Sequence, residues 1–243
     1  MYDGWPAGAS APVLSHGDAH VWRIALTQPE DRVRELATLL SEKERERAAR
    51  FQFDHLRQRF VVSHGALRLI LSRYTDEAPE QLRFAYGSFG KPALAFECEV
   101  RFNLSHSEDL ALVAVTRGRE VGVDVEHVRS VLEIDQIARS NFSFREYAAF
   151  CALAQGQKLL AFFNCWTRKE AFIKALGAGL SMPLDQFDVA FAPNENARLL
   201  AIAGDENETT HWSLVVLHPA EGYAAALAVA APKVKISCWQ WQG

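Results

Sequence analysis

Apolar residues recur along the chain at two spacings, one typical of strands and one typical of helices. Segments 20–27 (HVWRIALT) and 81–87 (QLRFAYG) have the composition and spacing of strands. Segments 57–74 and 159–177 instead carry apolar residues at helical spacing. The pattern therefore predicts a structure in which helices and strands are mixed.

Two helix starts are marked by a second signal. Ser41 is followed three residues later by Glu44, and Ser143 is followed three residues later by Glu146. Serine and glutamate at this spacing form a capping box, in which each side chain bonds the other residue's backbone N–H. We therefore predict helices that begin directly after Ser41 and Ser143.

The two halves of the chain repeat the same order of elements. In each half a capped helix and a long apolar helix precede a short strand-like segment and a pair of strands. The strand pairs are residues 100–116 and 211–230. We predict an α+β fold of two similar, pseudo-symmetric lobes, 1–118 and 119–243, each with helices packed on a small antiparallel sheet. Residues 117–128 should lie near the junction of the lobes.

Composition narrows the class of protein. The chain has 243 residues, 49% of them hydrophobic and 23% charged, as in ordinary soluble domains. A formal net charge of −4 gives no support to nucleic-acid binding. The four cysteines are widely separated, which argues against disulfides or a zinc site. No leader-like start or membrane-length apolar run is evident, so we expect a cytoplasmic protein without a membrane partner.

One apolar strand carries two acids on the same face. In VGVDVE (121–126), the side chains of Asp124 and Glu126 point to one side, about 7 Å apart along an extended strand. Two carboxylates so placed suit a hard divalent cation such as Mg²⁺. The alternative is that one acid pairs with an arginine while the other lies in solvent.

A compact charged group interrupts the second long apolar helix. Glu170 and Lys174 are four residues apart, and Lys169 precedes Glu170. An ordinary helical ion pair is one explanation, and it stabilises a helix by only a few tenths of a kcal/mol. That explanation does not account for a Lys-Glu-Lys group in so apolar a segment.

Together these motifs resemble those of a known family. GVDVE (122–126) followed by WTRKEAFIKALGAGL (166–180) is similar to the two-part signature of the 4′-phosphopantetheinyl transferases. GKPAL (90–94) and FNLSHS (102–107) resemble upstream motifs of the larger, surfactin-type branch. The resemblance covers roughly residues 36–190.

The resemblance implies an enzyme with a metal and two substrates. It would transfer 4′-phosphopantetheine from coenzyme A to a serine of an apo acyl or peptidyl carrier protein, releasing 3′,5′-ADP. Asp124, Glu126 and Glu170 match the Mg²⁺ ligands of the family, and Mn²⁺ is an alternative metal. The site would lie at the lobe interface of a monomer, with nucleotide-binding motifs in the first lobe and the metal strand and catalytic helix in the second.

The resemblance also implies roles for three further charged residues. Lys174 matches a lysine that steadies or protonates the leaving phosphate. Lys169 matches one that holds the pantetheine side or the phosphates, with a solvated lysine as the alternative. Glu146 matches an acid that lies near the metal or acts as the base, but its capping-box position offers a purely structural explanation.

Contacts to coenzyme A are implied in the first lobe. Ser105 and His106 match phosphate contacts, and Lys91 matches a nucleotide contact presented by a turn that Pro92 fixes. For the 3′-phosphate, Arg47 and Arg59 are favoured because arginine binds phosphate bidentately. A surface turn at GKP and a solvated basic helix are the alternatives.

Carrier docking is expected at residues 128–142. Val131, Leu132 and Ile137 would face a carrier helix, and Arg129 and Arg139 would meet its acidic surface. The alternative is a helix that packs into the core. Two other functions stay open, a coenzyme A-binding module without transfer and a Mg²⁺-dependent phosphoester hydrolase. The sequence does not indicate whether the carrier serves fatty-acid, polyketide or nonribosomal-peptide synthesis.

Overall fold

Both predicted capping boxes form in the computed structural model, which describes residues 4–8, 12–177, 182–193, 195–202 and 207–242. The side chains of Ser41 and Ser143 accept hydrogen bonds from the backbone N–H groups of Glu44 and Glu146. The end of the family signature, residues 178–180, lies outside the described residues. The described helices are α1 (Glu30–Thr38), α2 (Glu42–Ala49), α3 (Asp54–Leu71), α4 (Ile134–Asn141), α5 (Phe144–Cys151) and α6 (Gln155–Leu176).

The predicted α+β class is confirmed, with small sheets against the helices. The described strands are β1 (Asp18–Ala25), β2 (Phe84–Tyr86), β3 (Pro92–Leu94), β4 (Val100–Ser107), β5 (Leu110–Arg117), β6 (Val121–His127), β7 (Phe187–Val189), β8 (Leu199–Ile202), β9 (Ser213–Leu217), β10 (Tyr223–Val229) and β11 (Lys235–Gln240). One sheet has the order β11-β1-β5-β4 and another the order β6-β10-β9, while β2–β3 and β7–β8 form two-stranded sheets.

The two halves share a topology, but the last strand of the second half joins the sheet of the first half. In each half, a strand before the helices (β1 or β6) pairs antiparallel with the last strand of the following hairpin (β5 or β10). Strand β11 pairs parallel with β1 and places Trp239 opposite Trp22. Ile236 and Cys238 of this strand pack against the apolar cluster that lies between the two larger sheets.

Three apolar clusters hold the molecule together. One surrounds α3 and another surrounds α6. The third lies between the two larger sheets and includes Val21 and Leu112 from one and Val123 and Leu227 from the other. Burial of this shared face fixes β4 and β6 beside each other. Among the described helices, none is both long enough and apolar enough to cross a bilayer.

Candidate active site

The two acids of β6 lie on one face of the strand, as the strand pattern predicts, and they lie at the junction of the halves. Asp124 is only 3% exposed and Glu126 is partly buried. Both face β4, because the hydroxyl of Ser105 donates to Asp124 Oδ1 at 2.8 Å and that of Ser107 donates to Glu126 Oε2 at 2.8 Å. The acidic face of β6 is therefore lined by serines from the other sheet.

A glycine brings helix α6 against this strand. A Cβ atom at Gly122 would lie 2.1 Å from the carbonyl oxygen of Ala171, so only glycine permits this approach. Glu170 and Lys174 flank that point of contact on α6. The ammonium of Lys174 donates to Asp124 Oδ1 at 2.6 Å and to Ser105 Oγ at 3.0 Å. The charged residues of the two motifs thus come together.

The acids perturb one another. Desolvation first, and then the negative charge of Asp124, raise the pKa of Glu170, against the opposing effect of Lys174. Desolvation likewise raises the pKa of Glu126, with Ser107 lowering it and Asp124 raising it. Meanwhile Asp124 Oδ2 is buried without a hydrogen-bond partner. An unpaired buried carboxylate oxygen is costly, and a bound cation would offset that cost.

The donor chemistry fits a hard divalent cation, but the side chains are not yet arranged around one. In the described parts of the chain, no three His, Cys, Asp or Glu side chains are placed to hold a metal ion as they stand. Lys174 and Ser105 both engage Asp124 Oδ1, which leaves Oδ2 as the oxygen of Asp124 that could face a cation. Carboxylate oxygens with room for water are what Mg²⁺ prefers.

Cations converge on His106, at the exposed edge of the same site. Partial desolvation and then the charges of Lys174, Arg59 and Arg47 lower the pKa of His106. Arg59 is already paired with Glu108 at 3.2 Å and Asp109 at 2.8 Å. The guanidinium of Arg47 instead lies over the ring of Phe60 and lines a surface cavity of about 900 Å³. Of these two arginines, Arg59 is therefore engaged by carboxylates, whereas Arg47 lies over an aromatic ring at the cavity.

His64 is a residue of this region that the sequence analysis missed. Its ring stacks on Phe60, with centroids 3.8 Å apart, and its Nδ1 lies 3.0 Å from the Phe60 carbonyl oxygen. Desolvation lowers the pKa of His64 to about 4; Glu44 opposes this, and Arg47 and His106 contribute to it. The only signal was a histidine in an apolar helix downstream of a basic one.

Lys91 joins the two halves beside this site. Its ammonium donates to Glu120 Oε2 at 2.7 Å and to the carbonyl oxygen of Ala175 at 2.8 Å, at the end of α6. Lys91 and Pro92 line a cleft of about 560 Å³, together with Glu170 and Lys174. The cleft also has apolar walls, including Phe89 and Met182.

Glu146 and Lys169 are brought together, but not at this cleft. The Lys169 side chain is completely buried, with Nζ 2.7 Å from Glu146 Oε2 and 2.6 Å from the Leu184 carbonyl oxygen. Glu146 also accepts from the backbone N–H of Ser143, in the capping box, and from that of Val189 at 2.8 Å. Neither residue lines the cleft that contains Glu170 and Lys174.

The first half contains the same arrangement. Glu44 of the capping box on α2 pairs with Arg68 of α3, with Nη2 2.7 Å from Oε2. The Arg68 side chain also donates to the carbonyl oxygens of Pro79 and Leu82. A buried glutamate–cation pair thus ties the capped helix, the long helix and the following loop in each lobe. This duplication favours the structural alternative for Glu146, and the complete burial of the Lys169 side chain shows that Lys169 is not solvated.

The place in the first half that corresponds to the acidic site is filled with aromatic side chains. Strand β1 corresponds to β6 in topology, and there Trp22 donates from Nε1 to the hydroxyl of Tyr74 at 2.7 Å. His20 Nδ1 lies 3.0 Å from the same hydroxyl, and Arg73 lies over the Trp22 ring. Trp239 of β11 packs against Trp22. Among the residues that the structure describes, carboxylates occupy this position in the second half alone.

In the segment expected to dock a carrier, residues 128–142, some apolar side chains pack into the core and another is exposed. Ile137 is partly buried and packs against the core around α6, as the alternative expects, and Val131 packs there as well. Leu132 is 89% exposed, and so is Phe144 at the start of α5. Arg129 is exposed and contacts Glu108 at 3.7 Å.

Comparisons with known proteins point to one family. Residues 120–228 match the model described as 4′-phosphopantetheinyl transferase superfamily, and residues 27–118 match one described as 4′-phosphopantetheinyl transferase, N-terminal. The 4′-phosphopantetheinyl transferase HetI of Nostoc sp. is 41% identical over 220 residues, covering 89% of this chain and 90% of HetI. The 4′-phosphopantetheinyl transferase Sfp of Bacillus subtilis is 27% identical over 195 residues, 80% of this chain and 84% of Sfp.

Proposed function

Because this chain belongs to the 4′-phosphopantetheinyl transferase family, we propose that it moves the 4′-phosphopantetheine of coenzyme A onto a serine of an apo acyl or peptidyl carrier protein. The carrier hydroxyl attacks the phosphorus that bears the pantetheine. The bond from that phosphorus to the bridging oxygen of the diphosphate breaks, and 3′,5′-ADP leaves. The main support is the meeting of Asp124, Glu126, Glu170 and Lys174 beside a cation cluster at the lobe junction.

Each step has a residue to perform it. The hydroxyl proton passes to Glu170, directly or through a water, since Glu170 lines the cleft while Glu146 is engaged by Lys169. Lys174 donates hydrogen bonds to the departing phosphate as negative charge develops on it. Arg47 and His106 bind the phosphates of coenzyme A, and Lys91 and Pro92 form the wall beside the nucleotide.

A divalent ion completes this proposal. Asp124, Glu126 and Glu170 would hold Mg²⁺, or Mn²⁺ in its place, and the unpartnered Oδ2 of Asp124 is the observation that supports it. When bound, the ion would neutralise charge on the diphosphate. We also propose that the protein acts in the cytoplasm as a monomer, since one chain supplies residues on both sides of the cleft.

One assay separates the proposed reaction from its alternatives. The pure protein is mixed with coenzyme A, Mg²⁺ and an apo-carrier protein, and the carrier is then weighed by mass spectrometry. Transfer adds a phosphopantetheine group to the carrier. Free phosphopantetheine without an adduct would indicate hydrolysis, and coenzyme A binding without either product would indicate a binding module.

Asp124→Asn is the variant that tests the metal assignment in that assay. It keeps the shape of the side chain but removes its charge, so we expect the adduct to disappear while the circular dichroism spectrum is unchanged. An Asp124→Asn protein that still transfers at saturating Mg²⁺ would contradict the metal assignment.

Carrier recognition is proposed at the exposed apolar pair Leu132 and Phe144, with Arg129 and Arg139 nearby on the same segment. Leu132→Glu should raise the KM for an acidic carrier roughly tenfold, because apolar anchors dominate such interfaces. The KM for coenzyme A should not change. Leu160→Glu, on exposed α6 surface, is the control. Equal effects of both substitutions on carrier KM would place the docking surface elsewhere.

A further inference from the structure

Strands β4 and β6 lie side by side without forming a backbone ladder. They belong to different sheets, whose edges meet at this seam. Side chains of β4 bond across it instead. The side-chain oxygen of Asn103 accepts from the backbone N–H of Val123 at 2.9 Å, and Ser105 donates to Asp124. Asn103 and Ser105, two residues apart on β4, therefore both hold the acidic strand.

Ser107 is the last of the β4 residues whose side chains bond to β6, and its hydroxyl makes two hydrogen bonds. Its hydroxyl donates to Glu126 Oε2 at 2.8 Å and accepts from the backbone N–H of His127 at 3.1 Å. The next residue, Glu108, turns the chain with φ 47°, in the left-handed region. Ser107 therefore lies directly before the turn, and its two hydrogen bonds fix the hydroxyl relative to β6.

Glu126 depends on this contact more than Asp124 depends on Ser105. Asp124 is also held by Lys174, whereas Glu126 forms no ion pair within the described parts of the chain. The Ser107 hydroxyl engages only Oε2 and leaves Oε1 available. Without it, the carboxylate would be free to turn along the seam or into solvent.

We propose that Ser107 is a positioning residue that holds Glu126 with one oxygen presented to the divalent ion. This inference rests on the proposed function, since it takes Glu126 as a ligand. Partners of metal-binding side chains typically contribute 10–100-fold to metal affinity, and we expect Ser107→Ala to weaken affinity within roughly that range. The loss should appear as a higher metal requirement more than as a lower turnover at saturating metal.

The test uses Mn²⁺ as a spectroscopic probe. Free Mn²⁺ is followed by electron paramagnetic resonance as the full-length protein is titrated with 3′,5′-ADP present, so that no turnover occurs. Ser107→Ala should bind Mn²⁺ more weakly and show a raised apparent KM for Mg²⁺ in transfer. Ser107→Thr, which keeps the hydroxyl, should restore both values.

Ser213→Ala is the matched control. Its hydroxyl also closes a strand end, by donating to the Ala231 carbonyl oxygen at 2.7 Å, and Ser213 lies on β9 away from the acids. This variant should bind Mn²⁺ as the unchanged protein does. Thermal melts of all variants would detect loss of fold.

The outcomes are distinguishable. Unchanged Mn²⁺ affinity in folded Ser107→Ala would overturn the role of Ser107 while leaving the proposed transfer intact, and so would an equal loss in Ser213→Ala. If the unchanged protein bound no Mn²⁺ but transferred normally, the ligand assignment and this inference would both fail. If it neither bound metal nor transferred, the proposed function itself would fail.

Discussion

Lys174 touches the site at two atoms, one on each side of the seam. Its ammonium binds Asp124 from β6 and Ser105 from β4, and it lines the cleft beside Glu170. A lysine so placed can follow the charge that develops on a phosphate during reaction. Lys174 could bind the substrate before reaction or stabilise the transition state, and kinetics distinguish these two roles.

We expect Lys174→Ala to lower kcat more than it lowers affinity for coenzyme A. An interaction that strengthens in the transition state affects turnover, whereas uniform binding affects KM alone. Steady-state kinetics with a fixed carrier, together with calorimetric binding of coenzyme A, would measure both. Equal losses in the two quantities would make Lys174 a binding residue instead.

His64 should make stability depend on pH. Its pKa is about 4 in the folded protein, below the ordinary value of 6.5, so below pH 6.5 the unfolded chain binds a proton that the folded chain does not. Stability is therefore lost as pH falls. Between pH 7.5 and 5 this one group should reduce the free energy of unfolding by about 2 kcal/mol.

Urea unfolding at the two pH values would measure this dependence. His64→Gln should remove that part of it, although the variant keeps the contribution of every other titrating group. A variant with the same loss between pH 7.5 and 5 as the unchanged protein would refute the assignment to His64.

Among the elements, the pairs Glu44–Arg68 and Glu146–Lys169 occupy the same position in their lobes. Each joins the start of a capped helix to the middle of a long helix and to the loop that follows. Removing one partner of such a pair leaves a buried charge uncompensated. The pairs should therefore act on stability in both lobes, whatever the chemistry nearby.

Lys169→Met should lower the free energy of unfolding by about 3–5 kcal/mol, because Glu146 would then be buried without its cation. Adding Glu146→Gln should recover much of that loss, since the neutral side chain can still cap α5. Chemical denaturation would give these values, with Arg68→Met as the equivalent change in the first lobe. Full stability of Lys169→Met with abolished transfer would instead support the predicted phosphate-binding role of Lys169.

Short stretches of sequence were sufficient to predict where two helices begin and that two acids share one face of β6. Capping boxes act over three residues, and a strand alternates its faces with every residue, so both can be deduced from short windows of sequence. The burial of Lys169 could not, because the carbonyl oxygens of Leu184 and Phe187 reach it only after folding. Likewise, nothing in the sequence near Arg59 indicates its pairing with Glu108 and Asp109.

At the scale of the whole molecule, the described parts of the two halves have equivalent positions, and acids gather at the one in the second half. Where the second half places Asp124 opposite Lys174, the first half places Trp22 beneath Arg73 and beside Tyr74. Aromatic side chains in that space leave no carboxylates for a metal. Duplication of the lobes has therefore kept the framework of helices and strands without duplicating the charged cluster.

Calorimetric titration with 3′,5′-ADP and Mg²⁺ should give one binding site per chain. The expected reason is that the first-half position is filled by Trp22, Tyr74 and Trp239. Trp22→Ala should destabilise the protein without adding a site, because it opens the space but supplies no carboxylate. Two sites per unchanged chain would contradict the assignment.

The pairing of β1 with β11 also bears on how the chain can fold or be divided. Arg23 and Gln240, which are hydrogen-bonded in this pairing, are 217 residues apart in sequence. Contacts over such a separation carry a large loop-closure entropy and slow the folding of a domain. A cut between residues 118 and 119 would leave β1 with an open edge, prone to pair with other chains. An active enzyme reassembled from two fragments would therefore need the second fragment to supply its final strand before the first could remain soluble.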